Sequence, residues 1–202
     1  MMKIGILASG NGSNLQAIID SINKGYLQNA EISIVISDNE NAYALKRSKD
    51  NNIKNLYINK KEYKTRIEYD TKIVEVLKEE KIELVILAGY LRWISEYFVN
   101  EYRGRIMNIH PSLLPSFKGL NAIEKAYNYG VKITGVTVHF VDETEDAGPI
   151  ILQETIIINE NMSLEKLEEE IHKIEHKLYP KAIDLFIKDK LYIENKKVFI
   201  RR

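Results

Sequence analysis

The sequence has no cysteine, no excess charge of either sign and no long apolar run, since it contains 29 basic and 29 acidic residues. The lack of cysteine excludes a disulfide framework, thiolate metal ligands and a cysteine nucleophile. The balanced charge gives no support to non-specific binding of nucleic acid through a basic face. No apolar stretch approaches the roughly 18 residues of a transmembrane helix, and residues 4–8 are too short for a secretory signal. We therefore expect a cytoplasmic protein.

The length and composition are those of an ordinary globular domain. The chain has 202 residues, of which 45% are hydrophobic and 29% charged. A chain of this length buries about 70% of its extended surface, so it needs no disulfide or metal for stability. No repeat or linker divides it. We predict one domain over residues 1–202, with an N-terminal half of about 1–100 and a C-terminal half of about 101–202.

The first half alternates short apolar runs with longer amphipathic segments, which is typical of a parallel sheet covered by helices. We expect helices at 13–24, 42–50, 66–80 and 95–102, and strands at 3–8, 31–37, 54–57, 83–88 and 105–109. The fold class predicted from this order is α/β: a Rossmann-like, open, mostly parallel twisted sheet with helices on both faces.

The second half predicts an antiparallel C-terminal portion. Residues 132–141 alternate in polarity, with Thr137 and His139 on the face opposite the apolar one. Further strands are predicted at 150–158, 191–194 and 197–200, the last two joined by a turn at Asn195. We also predict a long helix from about Leu164, capped by Ser163 and kinked or interrupted at Pro180.

The segment SGNGSN at residues 9–14 lies between a predicted strand and a predicted helix. Backbone N–H groups at a helix N-terminus bind anions, and glycine lets a phosphate approach closely. A P-loop is excluded because no Gly-Lys-Ser/Thr follows, and Leu15 stands where a dinucleotide fingerprint needs its third glycine. Asp38 does imitate the ribose-binding acid of that fingerprint. A phosphate site, a nucleotide-binding module and a simple tight turn all remain open from these residues.

A second cluster of candidate residues lies at the end of the fifth predicted strand. Asn108 and His110 are two positions apart, so they project to the same side of an extended chain. An amide donor beside an imidazole suits an oxyanion that develops on a carbonyl-derived group. Asp146, in the acidic loop 142–149, is the best placed acid to pair with His110 and favour its charged form. The alternatives are a strand-end histidine satisfied by its neighbours and a solvated acidic turn.

The segment His172-x-x-Glu175-His176 matches the H-x-x-E-H pattern of one metalloprotease class. The two histidines share a helix face, as a zinc pair requires. No third ligand is evident in the sequence, so a solvated helix face is the preferred interpretation.

Four motifs together give the chain a family resemblance: GNGSNLQAI, LAGYLRWIS, NIHPSLLPSFKG and GVTVHFVDETEDAGPIILQ. The chain resembles the folate-dependent formyltransferases, and GNGSN resembles their glycinamide branch. The resemblance implies a formyltransferase domain with a phosphate-binding N-terminal half and a folate-binding, catalytic C-terminal half. It implies transfer of formyl from 10-formyltetrahydrofolate to the amine of glycinamide ribonucleotide in purine biosynthesis. The expected partners are these two small molecules, without metal, nucleic acid or membrane, in a monomer or homodimer.

The resemblance also implies roles for individual residues. The implied catalytic residues are Asn108, His110 and Asp146, with Thr137 and His139 in support. The implied contacts of the ribonucleotide substrate are Gly12, Ser13, Asn14, Lys118 and Glu175. The implied folate contacts are Arg66, Leu91, Arg92, Trp93, Ile94, Asn108, Val141 and Asp142. Asn121 departs from the family, which often has histidine there, so a substrate contact at this position is not carried over.

Two relatives with the same chemistry are alternatives. A methionyl-tRNA formyltransferase would need a further RNA-binding domain of roughly 100 residues and a basic surface, and we expect neither. A formyltetrahydrofolate deformylase would carry an added N-terminal regulatory domain, whereas the first predicted strand starts at Lys3. The deformylase and the nucleotide-binding module remain the alternatives to the transferase.

Overall fold

A computed structural model of the chain describes residues 1–201. Seven strands form one sheet in the order β3-β2-β1-β4-β5-β6-β7. The strands are β1 Met2–Leu7, β2 Ala30–Ser37, β3 Asn55–Tyr57, β4 Leu84–Leu87, β5 Ile106–His110, β6 Ile133–Phe140 and β7 Ile150–Ile157. β1 to β5 pair in parallel, whereas β6 and β7 are antiparallel. The predicted fold class, a mostly parallel sheet with an antiparallel end, is confirmed.

The helices are α1 Ser13–Asn23, α2 Tyr43–Asp50, α3 Arg66–Glu79, α4 Glu96–Glu101, α5 Ala122–Tyr129 and α6 Leu164–Ile187. A hairpin of β8 Leu191–Glu194 and β9 Lys197–Ile200 follows α6. The chain divides into two compact units, one ending at Asn108 and the other beginning at Ile109. Within residues 1–201, no helix is long and apolar enough to cross a membrane.

The first unit has a core of aliphatic strands packed against amphipathic helices. The inner strands β1 and β4 are buried along Ile4, Ile6 and 84–87, because a parallel strand is covered on both faces. α3 buries Ile73, Val74 and Leu77 at helical spacing, and the Thr65 hydroxyl caps the helix by accepting from the N–H of Glu68. The predicted strands and helices of this unit match the observed elements to within one residue at most ends.

In the second unit, the structure differs from the sequence-based expectations at α5 and at Pro180. α5 was absent from those expectations because it has only two turns and buries only small side chains, Ala122 and Ala126. The predicted cap at Ser163 is confirmed, since its hydroxyl accepts from the N–H of Lys166 at 3.2 Å. Of the kink or interruption expected at Pro180, the interruption does not occur, because α6 continues through this residue. Burial of the surrounding face, including Tyr179 and Ile183, keeps the helix intact although proline removes one backbone donor.

Burial along α3 gives a matched pair of substitutions. Ile73 is fully buried, whereas Ile67 on the same helix is exposed. We expect Ile73→Ala to lower the free energy of unfolding by about 3 kcal/mol, because it leaves a cavity in the core. Ile67→Ala should change it by less than about 0.5 kcal/mol. Urea denaturation measures both, and equal losses in the two variants would contradict this account of the core.

Candidate active site

The loop between β1 and α1 presents the start of a helix without a side-chain cap. Gly12 is the residue that precedes α1, and its φ of 72° lies in the left-handed region that favours glycine. A Cβ at Gly12 would lie 2.8 Å from the Cβ of Ala44, so α2 also excludes a larger residue. The structure brings Gly12, Ser13 and Asn14 together at this helix N-terminus. Their backbone N–H groups suit an anion such as phosphate.

The segment after β4 carries exposed apolar side chains beside arginine. Leu91 and Trp93 are exposed, whereas Ile94 belongs to the core. The guanidinium of Arg66 lies 6.0 Å from the centre of the Trp93 ring. Arg92 instead stacks on Tyr69, with 4.9 Å between its guanidinium and the ring centre. This surface suits a planar ligand that carries negative charge.

Asp70 fixes that segment and was absent from the sequence-based expectations. It is fully buried on α3, and its Oδ2 accepts from the backbone N–H of Ser95 at 2.5 Å. Burial raises the pKa of the Asp70 carboxyl, while the contacts with Ser95 and the charges of Arg66 and Arg92 lower it less. Asp70 therefore ties the end of the Leu91–Ile94 segment to α3.

In the second unit, one carboxylate lies between two buried imidazoles. Asp146 Oδ2 is 3.4 Å from Nδ1 of His110, and its Oδ1 is 3.7 Å from Nε2 of His139. Each ring donates its other N–H to a backbone carbonyl at 2.8 Å, His110 to Phe117 and His139 to Phe140. A His110 ring that donates from Nε2 can also donate to Asp146 only as the charged imidazolium. The predicted pairing of His110 with Asp146 is thus present in the geometry.

The charge of Asp146 is strongly stabilised. Burial opposes ionisation, but contact with His139, the N–H of Gly119 and the charge of His110 outweigh it and lower the pKa to about 2. The Gly119 N–H donates to Oδ2 at 2.9 Å. Asp146 is therefore a carboxylate near neutral pH.

The segment 117–119 serves both members of the pair through backbone atoms. The carbonyl of Phe117 orients His110, and the N–H of Gly119 orients Asp146. Phe117 and Gly119 both have positive φ, 51° and 74°, so the chain turns sharply here. Lys118 lies between them and is exposed. The motif NIHPSLLPSFKG thus contributes more than Asn108 and His110, although its backbone role gives no side-chain signal.

Gly148 explains how the acidic loop returns to the histidines. A Cβ at this position would overlap the carbonyl oxygen of Phe140, so only glycine fits. The next residue, Pro149, accepts from the N–H of Phe140 at 2.9 Å. Asp146 itself has a φ of 46°, which is unusual for a residue with a side chain. The Asp-x-Gly-Pro spacing is thus a backbone requirement for placing Asp146.

Thr137 and Gln153 fix the turn that follows His110. The Thr137 hydroxyl donates to the carbonyl of Ser112 at 2.7 Å and accepts from the N–H of Leu114 at 3.1 Å. Gln153, on β7, donates from Nε2 to the carbonyl of Leu114 and to the Thr137 hydroxyl, both at 3.0 Å. Thr137 was expected as a supporting residue, whereas Gln153 was missed because no motif marks it.

Glu175 is buried on α6 and pairs with His172. Nδ1 of His172 lies 2.9 Å from its carboxylate, and this hydrogen bond raises the pKa of His172. The rings of His172 and His176 stack with 6.4 Å between their centres. Among residues 1–201, no three histidine, aspartate or glutamate side chains are placed to hold a metal ion.

The remaining expected contacts lie on strand ends and loops. Asn108 is on β5 and pairs in register with Leu87 of β4. Val141 and Asp142 follow β6, and Asp142 accepts from the N–H of Thr144 at 2.9 Å. Asn121, the departure from the family pattern, precedes α5 with a φ of 58°.

Comparison with known proteins identifies the family. A model of the formyl transferase family matches residues 2–183. The chain belongs to this family. A curated formyl transferase relative, the phosphoribosylglycinamide formyltransferase of Bacillus subtilis, is 42% identical over 183 residues, which is 91% of this chain and 93% of that protein. The trifunctional purine biosynthetic protein adenosine-3 of Homo sapiens is 46% identical over 183 residues, which is 91% of this chain and 18% of that protein.

Solved structures of formyl transferases have the same fold. Glycinamide ribonucleotide transformylase 1 from Symbiobacterium toebii superposes with a TM-score of 0.97 at 41% identity, covering 100% of this chain and 95% of that one. Phosphoribosylglycinamide formyltransferase from Bacillus halodurans gives a TM-score of 0.89 at 43% identity, covering 92% and 95%. The family resemblance inferred from the sequence motifs is therefore confirmed.

The depressed pKa of Asp146 makes stability depend on pH. We expect Asp146→Asn to lower the free energy of unfolding by about 1–2 kcal/mol near pH 6, because the folded state stabilises the carboxylate. The difference should be fully present above the pKa of unfolded aspartate, about 4, and should vanish as the pH falls toward 2. Denaturation at a series of pH values measures it. A difference that grows on acidification would contradict the assigned direction.

The backbone contact at Gly148 predicts a local effect of an added methyl group. We expect Gly148→Ala to displace the loop and lower the rate of formyl transfer at least tenfold, because Asp146 no longer reaches both histidines. Ala147→Ser is the control, since that side chain is exposed. Steady-state rates and circular dichroism distinguish loop displacement from unfolding, and equal rates in the two variants would argue against the backbone requirement.

Proposed function

We propose that this formyl transferase moves the formyl group of 10-formyltetrahydrofolate to the primary amine of glycinamide ribonucleotide. The products are N-formylglycinamide ribonucleotide and tetrahydrofolate. The observation that carries the proposal is the buried pair of His110 and Asp146, held by segment 117–119 and the Asp-x-Gly-Pro loop. Support also comes from the relative in Bacillus subtilis, which is named for this activity and is 42% identical over most of both chains.

The chemistry proposed for the pair is stabilisation of an oxyanion. The amine attacks the formyl carbon, and the carbonyl oxygen of the formyl group becomes negative in a tetrahedral intermediate. Asn108 would donate to that oxygen, and an imidazolium at His110, oriented by Asp146 and by the Phe117 carbonyl, would stabilise it through its positive charge. Collapse of the intermediate breaks the bond to N10 of the folate. The proton lost by the amine replaces the formyl group at N10, with a water held by Asp146 as the carrier.

We assign the ribonucleotide contacts to residues of matching chemistry. The phosphate would bind the N-terminus of α1 at Gly12, Ser13 and Asn14, where backbone donors are without a side-chain cap. Buried Glu175 would accept from a ribose hydroxyl, and exposed Lys118 would guide the anionic substrate in. No covalent enzyme intermediate is needed, because binding both substrates in attack geometry supplies much of the acceleration.

We assign the folate to the exposed apolar surface beside arginine. Leu91 and Trp93 would contact the planar ring system, and the backbone of Arg92 and Ile94 would complete that surface. Arg66, close to Trp93, would pair with an acidic group of the folate. Val141 and Asp142 would contribute from the loop after β6.

The direct test is formyl transfer with and without the acceptor. Purified protein is mixed with 10-formyltetrahydrofolate, and tetrahydrofolate formation is followed by absorbance in the presence and absence of glycinamide ribonucleotide. We expect turnover only with the acceptor. Folate cleavage without the acceptor would replace this proposal with a deformylase, and no reaction would return the nucleotide-binding module as the leading alternative.

Substitution of the pair tests the roles of its members. We expect His110→Ala and Asp146→Asn each to lower kcat at least a hundredfold while the protein stays folded, since each removes a group that stabilises the oxyanion. Asp189→Asn is the matched control, because Asp189 is 92% exposed and carries the same chemical change. Wild-type turnover in either folded variant of the pair would rule out the assigned roles.

A further inference from the structure

The carbonyl groups of the loop before α1 are all engaged by donors from outside the loop. Four consecutive carbonyl oxygens, those of residues 9–12, each accept a hydrogen bond. The donors are Nδ2 of Asn39 to Ser9 at 3.2 Å, the N–H of Ala44 to Gly10 at 3.1 Å, Nε of Arg47 to Asn11 at 2.9 Å, and the N–H of Gln16 to Gly12 at 3.0 Å. No carbonyl of this stretch is left to face an incoming anion without a compensating donor.

This arrangement matters because a phosphate is attracted by N–H groups and repelled by carbonyl oxygens. A loop binds an anion well when its N–H dipoles point inward and its carbonyl groups are engaged elsewhere. Two of the four donors, the N–H groups of Ala44 and Gln16, belong to the backbone. Asn39 supplies a neutral amide, and Arg47 supplies the one charged group among the four.

Arg47 donates three hydrogen bonds to the loop and to the start of α1. Besides the Asn11 carbonyl, it donates from Nη2 to Oδ1 of Asn11 at 3.0 Å and from Nη1 to Oε1 of Gln16 at 3.2 Å. Its guanidinium also stacks on Tyr43, 4.7 Å from the ring centre. The planar group is thus held by the Tyr43 ring against one face and by its hydrogen bonds to the loop and to the first turn of α1.

We propose that Arg47 is a positioning residue for recognition of the substrate phosphate. It holds the Asn11 peptide so that the loop presents donors to the phosphate, and its charge offsets the carbonyl dipole. This inference rests on the proposed function, because it takes the phosphate of the ribonucleotide as the ligand of the loop. Arg47 acts through Asn11 and Gln16, so its loss weakens binding of one substrate without changing the chemical step.

The experiment compares three variants in steady-state kinetics. Arg47→Met removes the hydrogen bonds and keeps an apolar stem of similar length, and Arg47→Lys keeps the charge but loses the planar fork. Lys46→Met removes an equal charge from the adjacent position of α2, where the side chain is exposed and pairs with Asp50. Both substrates are titrated, and inorganic phosphate is used as an inhibitor competing with the ribonucleotide.

For Arg47→Met we expect the KM for glycinamide ribonucleotide to rise roughly tenfold, the size of a lost charge-assisted hydrogen bond. Inhibition by inorganic phosphate should weaken by the same factor. The kcat and the KM for the folate should stay within about twofold, Arg47→Lys should recover part of the loss, and Lys46→Met should match the wild type. Equal changes in both KM values and in kcat would show that Arg47 only ties α1 to α2 structurally. An effect of Lys46→Met as large as that of Arg47→Met would show that any positive charge on α2 attracts the phosphate. Either result overturns the proposal.

Failure of the proposed function gives a different result. If the wild-type protein shows no transfer to glycinamide ribonucleotide, binding of inorganic phosphate to the free protein is measured by calorimetry. Tighter binding to the wild type and to Lys46→Met than to Arg47→Met would then support the role of Arg47 for another phosphorylated ligand. Equal binding to all three proteins would overturn it.

Discussion

The buried carboxylate of Asp146 is the constraint around which the second unit is arranged. An ionised group out of water is costly unless it is paired and hydrogen-bonded, and here two imidazoles and one backbone N–H satisfy it. Each partner requires a support of its own. His110 needs the Phe117 carbonyl, and the loop that carries Asp146 needs glycine at position 148. The turns on either side of the pair follow from the stabilisation of one charge.

In the proposed function, the first unit would bind negative charge by a different physical route. Its loop has no buried ion pair, and the N–H groups at the start of α1 are its donors. Backbone dipoles need no desolvated partner of opposite charge, so they cost less to hold ready for a phosphate that arrives with its own charge. In the proposed function, an oxyanion that forms only during the reaction would be stabilised by the side chains of Asn108 and His110, and Asp146 holds the His110 ring in place. The division between backbone and side-chain donors matches the difference between a permanent and a transient anion.

Much of the fold could be predicted from the sequence because its signals are local. Alternation in β6, the aliphatic runs of β1 and β4, and the cap at Ser163 depend on residues close together in the chain. α5 gave no such signal, since its buried residues are two alanines. The pairing of His110 with Asp146 could be anticipated because both chemical groups are conspicuous and each ends or follows a strand. The contact of Asp146 with His139 and the hydrogen bond from the Gly119 N–H could not be predicted from the sequence, because they form only in the folded chain.

The residues at the site that no sequence motif marks share a physical property, since they contact backbone atoms. Arg47, Asp70 and Gln153 contact carbonyl or N–H groups of Asn11, Ser95 and Leu114, which lie 36, 25 and 39 positions away. A backbone group is the same at every residue, so neither its identity nor a short spacing reveals which side chain will satisfy it. The motif residues define the chemistry, whereas these long-range contacts define the geometry of the loops that bear it. A loop that must expose its donors to a ligand loses internal hydrogen bonds, and side chains from neighbouring helices and strands replace them.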